Sequence, residues 1–462
     1  MMFRDFAGLS HVHFVGVGGA GMSGIAELLL DYDLSVSGSD LSLSDTTSRL
    51  SALGVDVKAG HDPAHVEGAD IVVISSAVPP DNPEVVAARE AGIPIVRRAE
   101  MLAEMMRLKY GIAVAGSHGK TTTTSLVGLL LTEGGLDPTV IVGGRLRVTG
   151  TGARHGRSDY LVAEADEYDR SFLRLAPIIA VLTCIDVEHL DTYRDLGEIR
   201  EAFLTFAQKV PCFGQVIACT DDANVRGILP ELSDHRVVGY GLEEGAEIRA
   251  VDLDLGAEGS SFTVISSRGG EGGRIELPIP GAHNVRNALA AIAVGLGLGL
   301  EVERMAEALA GFGGVHRRFE RLGSWRGATV IDDYAHHPTE VRATLEAARQ
   351  VFPGSRIHAV FQPHLYSRTR AFAADFGAAL LGADDVFVTD VYASREEPVP
   401  GVTGELVAAA AREAGHENVH FCADWRQVEA ELAPQVREGD AVLTLGAGDI
   451  YLLARTLAER GA

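Results

Sequence analysis

Two short stretches of this sequence gather the residue types that hold phosphate. In Gly116-Ser117-His118-Gly119-Lys120-Thr121-Thr122, glycines, a lysine and hydroxyls fall together. Backbone N–H groups of such a loop can wrap phosphate oxygens, Lys120 can offset charge between β and γ phosphates, and the Thr121 hydroxyl can reach Mg²⁺. Val114 stands where the strict G-x-x-x-x-G-K-[ST] pattern has glycine, so this loop is shorter than the usual one. The other stretch is Gly16-Val17-Gly18-Gly19-Ala20-Gly21, whose glycines permit a tight turn and close backbone approach to a diphosphate. Asp40 follows at the distance where such turns are accompanied by an acid for a ribose-type hydroxyl. The pattern specifies a diphosphate and leaves a dinucleotide open. A nicotinamide oxidoreductase would fit Gly16–Gly21 alone but has no use for the Lys120 loop.

Further clusters add acids, imidazoles and amides. Ala163-Glu164-Ala165-Asp166-Glu167-Tyr168-Asp169 offers the oxygen ligands a hard cation prefers, and Asp186-Val187-Glu188-His189-Leu190-Asp191 adds a second metal or phosphate contact. His283-Asn284-Val285-Arg286-Asn287 leads into an Ala-rich helix expected at 288–294, where asparagine ordinarily caps. Late in the chain come Asp332-Asp333-Tyr334-Ala335-His336-His337-Pro338, Gln362-Pro363-His364-Leu365-Tyr366-Ser367-Arg368 and Gly446-Ala447-Gly448-Asp449.

The elements that must position these groups follow a strand–helix alternation. Strands are expected at 11–15, 34–37 and 71–75, with helices at 22–30 and 83–91, the pattern of βα units on a parallel sheet. A second unit begins near Gly111, with a strand at 112–115, a loop to Thr121 and a helix at 122–131 stopped by Gly134-Gly135. Strands at 160–163 and 178–183 place the acidic clusters at strand ends. Residues 237–280 alternate with glycine-rich turns and read as a small antiparallel appendage. Beyond the glycines of 311–314, strands at 329–331, 357–361, 386–389 and 441–445 carry the three late clusters at their C-terminal ends, the edge where open parallel sheets bind ligands.

The length of 462 residues sets a prior of three domains at roughly 150 residues each, with boundaries placed near 108 and 318. The expected fold is α/β: a Rossmann-like N-terminal domain at 1–108, a central P-loop ATPase-like domain at 109–318 with a mostly parallel sheet plus a small antiparallel sheet, and a Rossmann-like C-terminal domain at 319–462. A formal net charge of −24 argues against binding a polyphosphate backbone, so no nucleic-acid partner is expected. The four cysteines, Cys184, Cys212, Cys219 and Cys422, show no paired metal spacing and suit a reducing compartment. The longest apolar run, 288–300, is shorter than the ~20 residues that span a bilayer. No membrane insertion and a cytoplasmic location are expected.

Taken in order, HFVGVGGAGMSGIAE, GSHGKTTTT, AEADEYDRSFL, EHLDTY, GAHNVRNALAA, RRFE, DDYAHHPTE and FQPHLYSRT resemble the Mur ligases over essentially the whole chain. The resemblance implies that the first domain binds a UDP-sugar, the central domain ATP, and the last the amino acid. Gly18, Gly19, Ala20, Gly21, Asp40 and Ser76 would then meet the UDP-sugar, with His118 near its lactyl group. Gly116, Ser117, His118, Gly119, Lys120, Thr121 and Thr122 would form the ATP phosphate loop, and Thr121, Glu164 and His189 would be Mg²⁺ ligands. Asn287 resembles the adenine-contacting asparagine, with Asn284 and His283 lining the same pocket. Arg318 and Asp332 or Asp333 look like contacts to ATP. Tyr334, His336 and Arg368 look like the wall that receives the amino acid, Arg368 facing its carboxylate. Two features depart from relatives: residues 204–207 contain no counterpart of the carbamylated lysine of several members, and Leu365 stands where some alanine-adding members have arginine.

The chemistry so implied is ATP-dependent amide formation in peptidoglycan precursor synthesis. The carboxylate of UDP-N-acetylmuramate takes the γ-phosphoryl of ATP, and the amine of L-alanine attacks the acyl phosphate. Lys120, Glu164, His189, His336 and Arg368 would carry catalysis, with the proton acceptor left open between His336 and another late histidine. Closure of the last domain about 311–314 would exclude water. The alternative is a ligase of the same family that attaches a recycled murein peptide, and a third reading is a P-loop ATPase acting as a switch.

Overall fold

The computed structural model describes residues 8–75, 77–143, 152–190, 192–267, 270–394 and 396–461; Ser76 lies outside them. Three sheets organise the chain. The first contains β1 (His11–Val15), β2 (Ser35–Asp40), β3 (Asp56–Ala59), β4 (Ile71–Ile74) and β5 (Ile95–Arg97), in the order 3-2-1-4-5. All its pairings are parallel, and the strand order reverses between β1 and β4. That reversal opens a crevice at the end of β1, where the glycine turn lies.

The second sheet holds β6 (Tyr110–Ala115), β7 (Thr139–Ile141), β8 (Ala153–Arg154), β9 (Tyr160–Ala165), β10 (Ile179–Leu182), β11 (Gln215–Cys219), β12 (Val237–Gly241), β13 (Ile248–Gly256), β14 (Gly259–Ser266) and β15 (Gly270–Leu277). Its order is 15-14-13-12-11-10-6-9-7-8. β12 pairs in parallel with β11, so it extends the parallel sheet instead of opening the antiparallel appendage expected from 237 onward. The functional consequence is at the centre: β6 lies between β9 and β10, so the chain following β6 is flanked by the ends of both.

The third sheet comprises β16 (Glu320–Trp325), β17 (Ala328–Asp333), β18 (Ile357–Phe361), β19 (Asp385–Val388), β20 (Val419–Phe421) and β21 (Ala441–Leu445), ordered 16-17-21-18-19-20. Only β16 runs antiparallel. Val330 and Val442 pack into one core while Ile331 and Leu443 pack into another, so the sheet is covered on both faces and its strands read as continuous apolar runs. The chain divides into two compact units: Met1–Val251 with Thr263–Arg274 and Arg286–Gly313, and Asp252–Phe262 with Ile275–Val285 and Gly314–Ala462. Among the described residues no helix is long and apolar enough to cross a membrane.

Three helices begin earlier than local pattern indicates, the first of them at Ala20 instead of Met22. The one after β6 spans Lys120–Glu133, placing Lys120 and Thr121 in its first turn instead of in the preceding loop. Its N-cap, Gly119, takes φ 82°, the left-handed region in which a Cβ is disfavoured. Four consecutive threonines are poor helix formers, yet Thr122, Thr123 and Thr124 are buried, and packing overrides propensity. The helix expected at 288–294 runs from Ala282 to Gly297, so His283, Asn284 and Asn287 are helical residues. Gly281 at φ 97° starts it, and Asn284 donates its amide to the Pro280 carbonyl at 2.8 Å.

The first sheet also buries a polar network. Glu84, with 0% exposure, accepts from Ser39 Oγ at 2.5 Å and lies 2.6 Å from His65 Nδ1, 3.1 Å from His61 Nδ1 and 3.8 Å from His13 Nε2. Burial pushes its carboxyl up, but the nearby His13 imidazole and hydrogen bonds to Ser39 and His65 outweigh burial and hold it at about 2.

Candidate functional site

The glycine turn after β1 is built around Asp40. Gly18 donates its N–H to Asp40 Oδ2 at 2.9 Å, and a Cβ added at Gly18 would meet that oxygen at 2.8 Å. The helix that follows, Ala20–Leu30, has Gly19 as N-cap and no side-chain cap, leaving its first N–H groups available to a diphosphate. A Cβ at Gly21 would come within 3.0 Å of the Arg98 side chain, so a guanidinium stands beside the turn. Gly18, Gly19, Ala20, Gly21 and Asp40 are thus brought together at one crevice.

The Lys120 loop is anchored to the end of β10. Asp186 donates its N–H to Ser117 Oγ at 2.9 Å, Thr183 Oγ1 donates to the His118 carbonyl at 2.5 Å, and His118 donates its N–H to Cys184 Sγ at 3.3 Å. Gly116 and Gly119 both have positive φ, and a Cβ on Gly119 would meet Asn287 Oδ1 at 2.6 Å. Asn287 also accepts from Thr123 Oγ1 at 3.2 Å, so the asparagine packs on the loop's own helix.

Lys120 Nζ donates to the carbonyls of Gly116 at 2.7 Å and Ser117 at 3.2 Å, and to both oxygens of Glu167 at 2.9 and 2.8 Å. Burial would lower the lysine's pKa, but the charges of Glu167, Asp166 and Glu188 raise it well above its ordinary value. Glu167 is 1% exposed and Glu188 4% exposed. His189 Nε2 lies 3.5 Å from Glu167 Oε1 and 3.8 Å from Glu188 Oε1. One ligand atom from each of Glu167, Glu188 and His189 falls within 4.8 Å of the others, a group that could hold a metal ion. His189 takes φ 53°, a left-handed conformation uncommon outside glycine and found preferentially at functional sites.

Glu164, at the end of β9, has its carboxyl pushed up by burial, opposed by hydrogen bonds from the Gly143 N–H and the Thr121 hydroxyl and by the Lys120 charge. Its Oε1 is buried without a hydrogen-bond partner. Thr121 and Glu164 therefore meet, and His189 sits with Glu167 and Glu188. Both glutamates lie in the acidic clusters read from the sequence as cation or phosphate contacts, but neither is singled out there as a ligand. The four carboxylates at 164–169 mark the cluster, but the sequence does not show which of them meets Lys120.

In the C-terminal unit β17, β21 and β18 are neighbours, so the three late clusters share one sheet edge. Asp332 accepts from Arg317 Nε at 2.9 Å and Thr444 Oγ1 at 2.7 Å, which commits its carboxylate internally. Asp333 accepts the N–H groups of Phe319 and Ala335, each at 2.7 Å, and burial pushes it up to about 6 against the pull of Arg318 and those N–H groups. Arg317, the first residue of RRFE and given no role of its own there, donates to the carbonyls of Gly446 at 2.6 Å and Gly448 at 3.3 Å and lies over the rings of Tyr334 and Tyr451. Arg318 reaches Glu340 at 3.5 Å. Tyr334 packs edge-on against His336, and His336 against His364, whose Nδ1 is 3.5 Å from Arg368 Nη1. Leu365 takes φ 70° immediately before the helix Tyr366–Leu380.

Profiles of three domain families match this chain: "Mur ligase family, catalytic domain" over residues 11–110, "Mur ligase middle domain" over 114–295, and "Mur ligase, glutamate ligase domain" over 317–448. The UDP-N-acetylmuramate–L-alanine ligase of Syntrophobacter fumaroxidans is 50% identical over 99% of this chain and 96% of its own length. That of Solibacter usitatus is 51% identical over 100% of this chain and 96% of its own. Among solved structures, the UDP-N-acetylmuramate-alanine ligase of Thermotoga maritima superposes with a TM-score of 0.81 at 30% identity, covering 97% of this chain and 98% of that one. A murein peptide ligase from Psychrobacter arcticus, 23% identical with a TM-score of 0.71 over 98% of both chains, shares the fold.

Proposed function

The chain belongs to the Mur ligase family, and on that premise we propose that it joins L-alanine to the lactyl carboxylate of UDP-N-acetylmuramate with conversion of ATP to ADP and phosphate. The observation that carries this reading is the pair of phosphate-binding turns on two different sheets, one closed by Asp40 and one by Lys120. A nicotinamide oxidoreductase or a solitary ATPase would need only one of them. The relatives near 50% identity carry alanine-ligase names, whereas the murein peptide ligase shares only the fold.

In the proposed assignment residues 1–108 receive the UDP-sugar, 109–318 the ATP and 319–462 the amino acid, in the cytoplasm. A carboxylate is a poor acylating agent, and its attack on the γ-phosphorus with departure of ADP installs a leaving group. Lys120 and the N–H groups of Gly119 and the first helical turn stabilise charge on the transferring phosphoryl group. The amine of L-alanine then forms the C–N bond, phosphate leaves, and an imidazole of the C-terminal unit, His336 in the simplest assignment, accepts the proton. Arg368 holds the alanine carboxylate beside Tyr334 and His336.

The donor set fits a hard cation: carboxylates, a hydroxyl and one imidazole, with the buried Glu164 Oε1 lacking a partner. Thr121, Glu164 and His189, with Glu167 and Glu188, would hold Mg²⁺, which when bound neutralises charge on the β and γ oxygens. The decisive experiment is a phosphate-release assay with ATP and UDP-N-acetylmuramate, scanning amino acids singly and including a murein tripeptide. Release that requires all three substrates and prefers L-alanine supports the assignment; release with the tripeptide alone, or without the sugar nucleotide, refutes it.

A further inference from the structure

Lys120 is committed to Glu167 in this structure. Both carboxylate oxygens lie within 2.9 Å of the ammonium, and two loop carbonyls take its remaining donor capacity. A triphosphate that recruits Lys120 must draw it away from that partner. Glu167 is 1% exposed and cannot turn to solvent for compensation. Tyr193 donates its hydroxyl to the Glu167 carbonyl at 2.8 Å, which fixes the backbone beneath the carboxylate.

The surrounding charges make the vacated site strongly unfavourable. Glu188 and Asp166 act on Lys120 from the strand ends on either side, and Glu164 faces it from β9. His189 is a second basic group beside these carboxylates, 3.5 Å from Glu167. Removing the ammonium strips the buried Glu167 of its ion-pair partner beside the buried Glu188, an arrangement that persists only if another cation replaces the lost charge. Glu167, Glu188 and His189 already place a ligand atom each within 4.8 Å of the others.

The geometry points to Glu167 as an exchange residue: it is the resting counter-ion of Lys120, and it yields the lysine to the triphosphate as its carboxylate passes to a divalent cation. Glu167 is a positioning residue here. It couples the cation to the nucleotide, so that each raises the affinity of the other by the same factor. The inference rests on the proposed use of Lys120 in ATP binding and adds that the loop would favour chelated over free nucleotide.

The test is equilibrium binding of ATP to the full-length chain, without sugar nucleotide or amino acid, in EDTA and in Mg²⁺, for wild type and Glu167→Gln. In the variant the lysine is no longer held, so metal-free ATP should bind about tenfold tighter, and the enhancement given by Mg²⁺ should shrink about tenfold or more. An equal enhancement in both proteins, or weaker metal-free binding by Glu167→Gln, overturns the inference. Glu167→Asp, which keeps the charge, should retain most of the enhancement. A second measurement is independent of how Glu167→Gln folds. Mn²⁺ binding without nucleotide, read by electron paramagnetic resonance, should be about tenfold tighter in Lys120→Met than in wild type, because the carboxylates are released. Equal or weaker Mn²⁺ binding overturns the exchange. Wild type that binds no ATP under either condition refutes the ligase assignment itself, whereas ATP binding with an unaltered Mg²⁺ ratio refutes only the exchange.

Discussion

Asp40 Oδ2 and the Gly18 N–H are 2.9 Å apart, joining the end of β2 to the middle of the glycine turn after β1. A methyl group at Gly18 would lie 2.8 Å from that oxygen and 3.0 Å from Thr47 Cγ2, closer than packed atoms tolerate. Gly18→Ala is therefore expected to raise the KM for UDP-N-acetylmuramate about tenfold or more while leaving ATP affinity unchanged, since the second turn stands on another sheet. Steady-state kinetics with each substrate varied in turn checks it; a rise confined to ATP would contradict the separation of sites.

On the proposed mechanism, Lys120→Ala removes the cation that would meet the transferring phosphoryl group. Turnover should fall by about 10²-fold or more, with UDP-N-acetylmuramate binding within about threefold of wild type. Phosphate release and calorimetric titration of the sugar nucleotide measure the two quantities separately. Loss of sugar-nucleotide affinity in a folded variant would show that the two turns do not act independently.

Arg368 is 9% exposed and its guanidinium is 3.5 Å from His364. Loss of a charge-assisted hydrogen bond to a carboxylate is worth roughly 1.5–3 kcal/mol. Arg368→Ala should accordingly raise the KM for L-alanine by about ten- to a hundredfold with little change in that for ATP. An unchanged alanine KM would assign the carboxylate to a different group.

Glu84 sets a pH dependence for the first sheet. Its carboxyl is at about 2 in the fold against an ordinary 4.5, so the stabilisation is fully present above 4.5 and is lost as pH falls from there toward 2. The shift corresponds to at most about 3 kcal/mol. Glu84→Gln should lower stability at neutral pH and flatten its decline between pH 5 and 3. Urea unfolding followed across that range decides it; parallel acid limbs in both proteins would show that the histidine network contributes nothing.

Local pattern locates the elements well where strands are buried on both faces. The strands at 11–15, 357–361 and 441–445 have the bounds their apolar runs announce, and both glycine-rich turns sit directly after a strand. Partnerships across the sheet are less legible. Glu167 and Lys120 are 47 positions apart and meet because β9 lies beside β6, an order that no local periodicity encodes. Asp332 and Asp333 illustrate the same limit at closer range. Adjacent residues on a strand point to opposite faces, so one meets Arg317 and Thr444 while the other meets the backbone of Phe319 and Ala335. The early start of the helix at Ala282 is hidden because asparagine more often marks a helix boundary than an interior.

Arg317 fastens the loop after β21 to β17 through two carbonyls and a carboxylate, and its planar head is held against the rings of Tyr334 and Tyr451. A compound shaped to that rim would find its walls preformed, with little ordering entropy lost on docking. Chemical variation aimed at Arg317 itself would dismantle the rim rather than tune it.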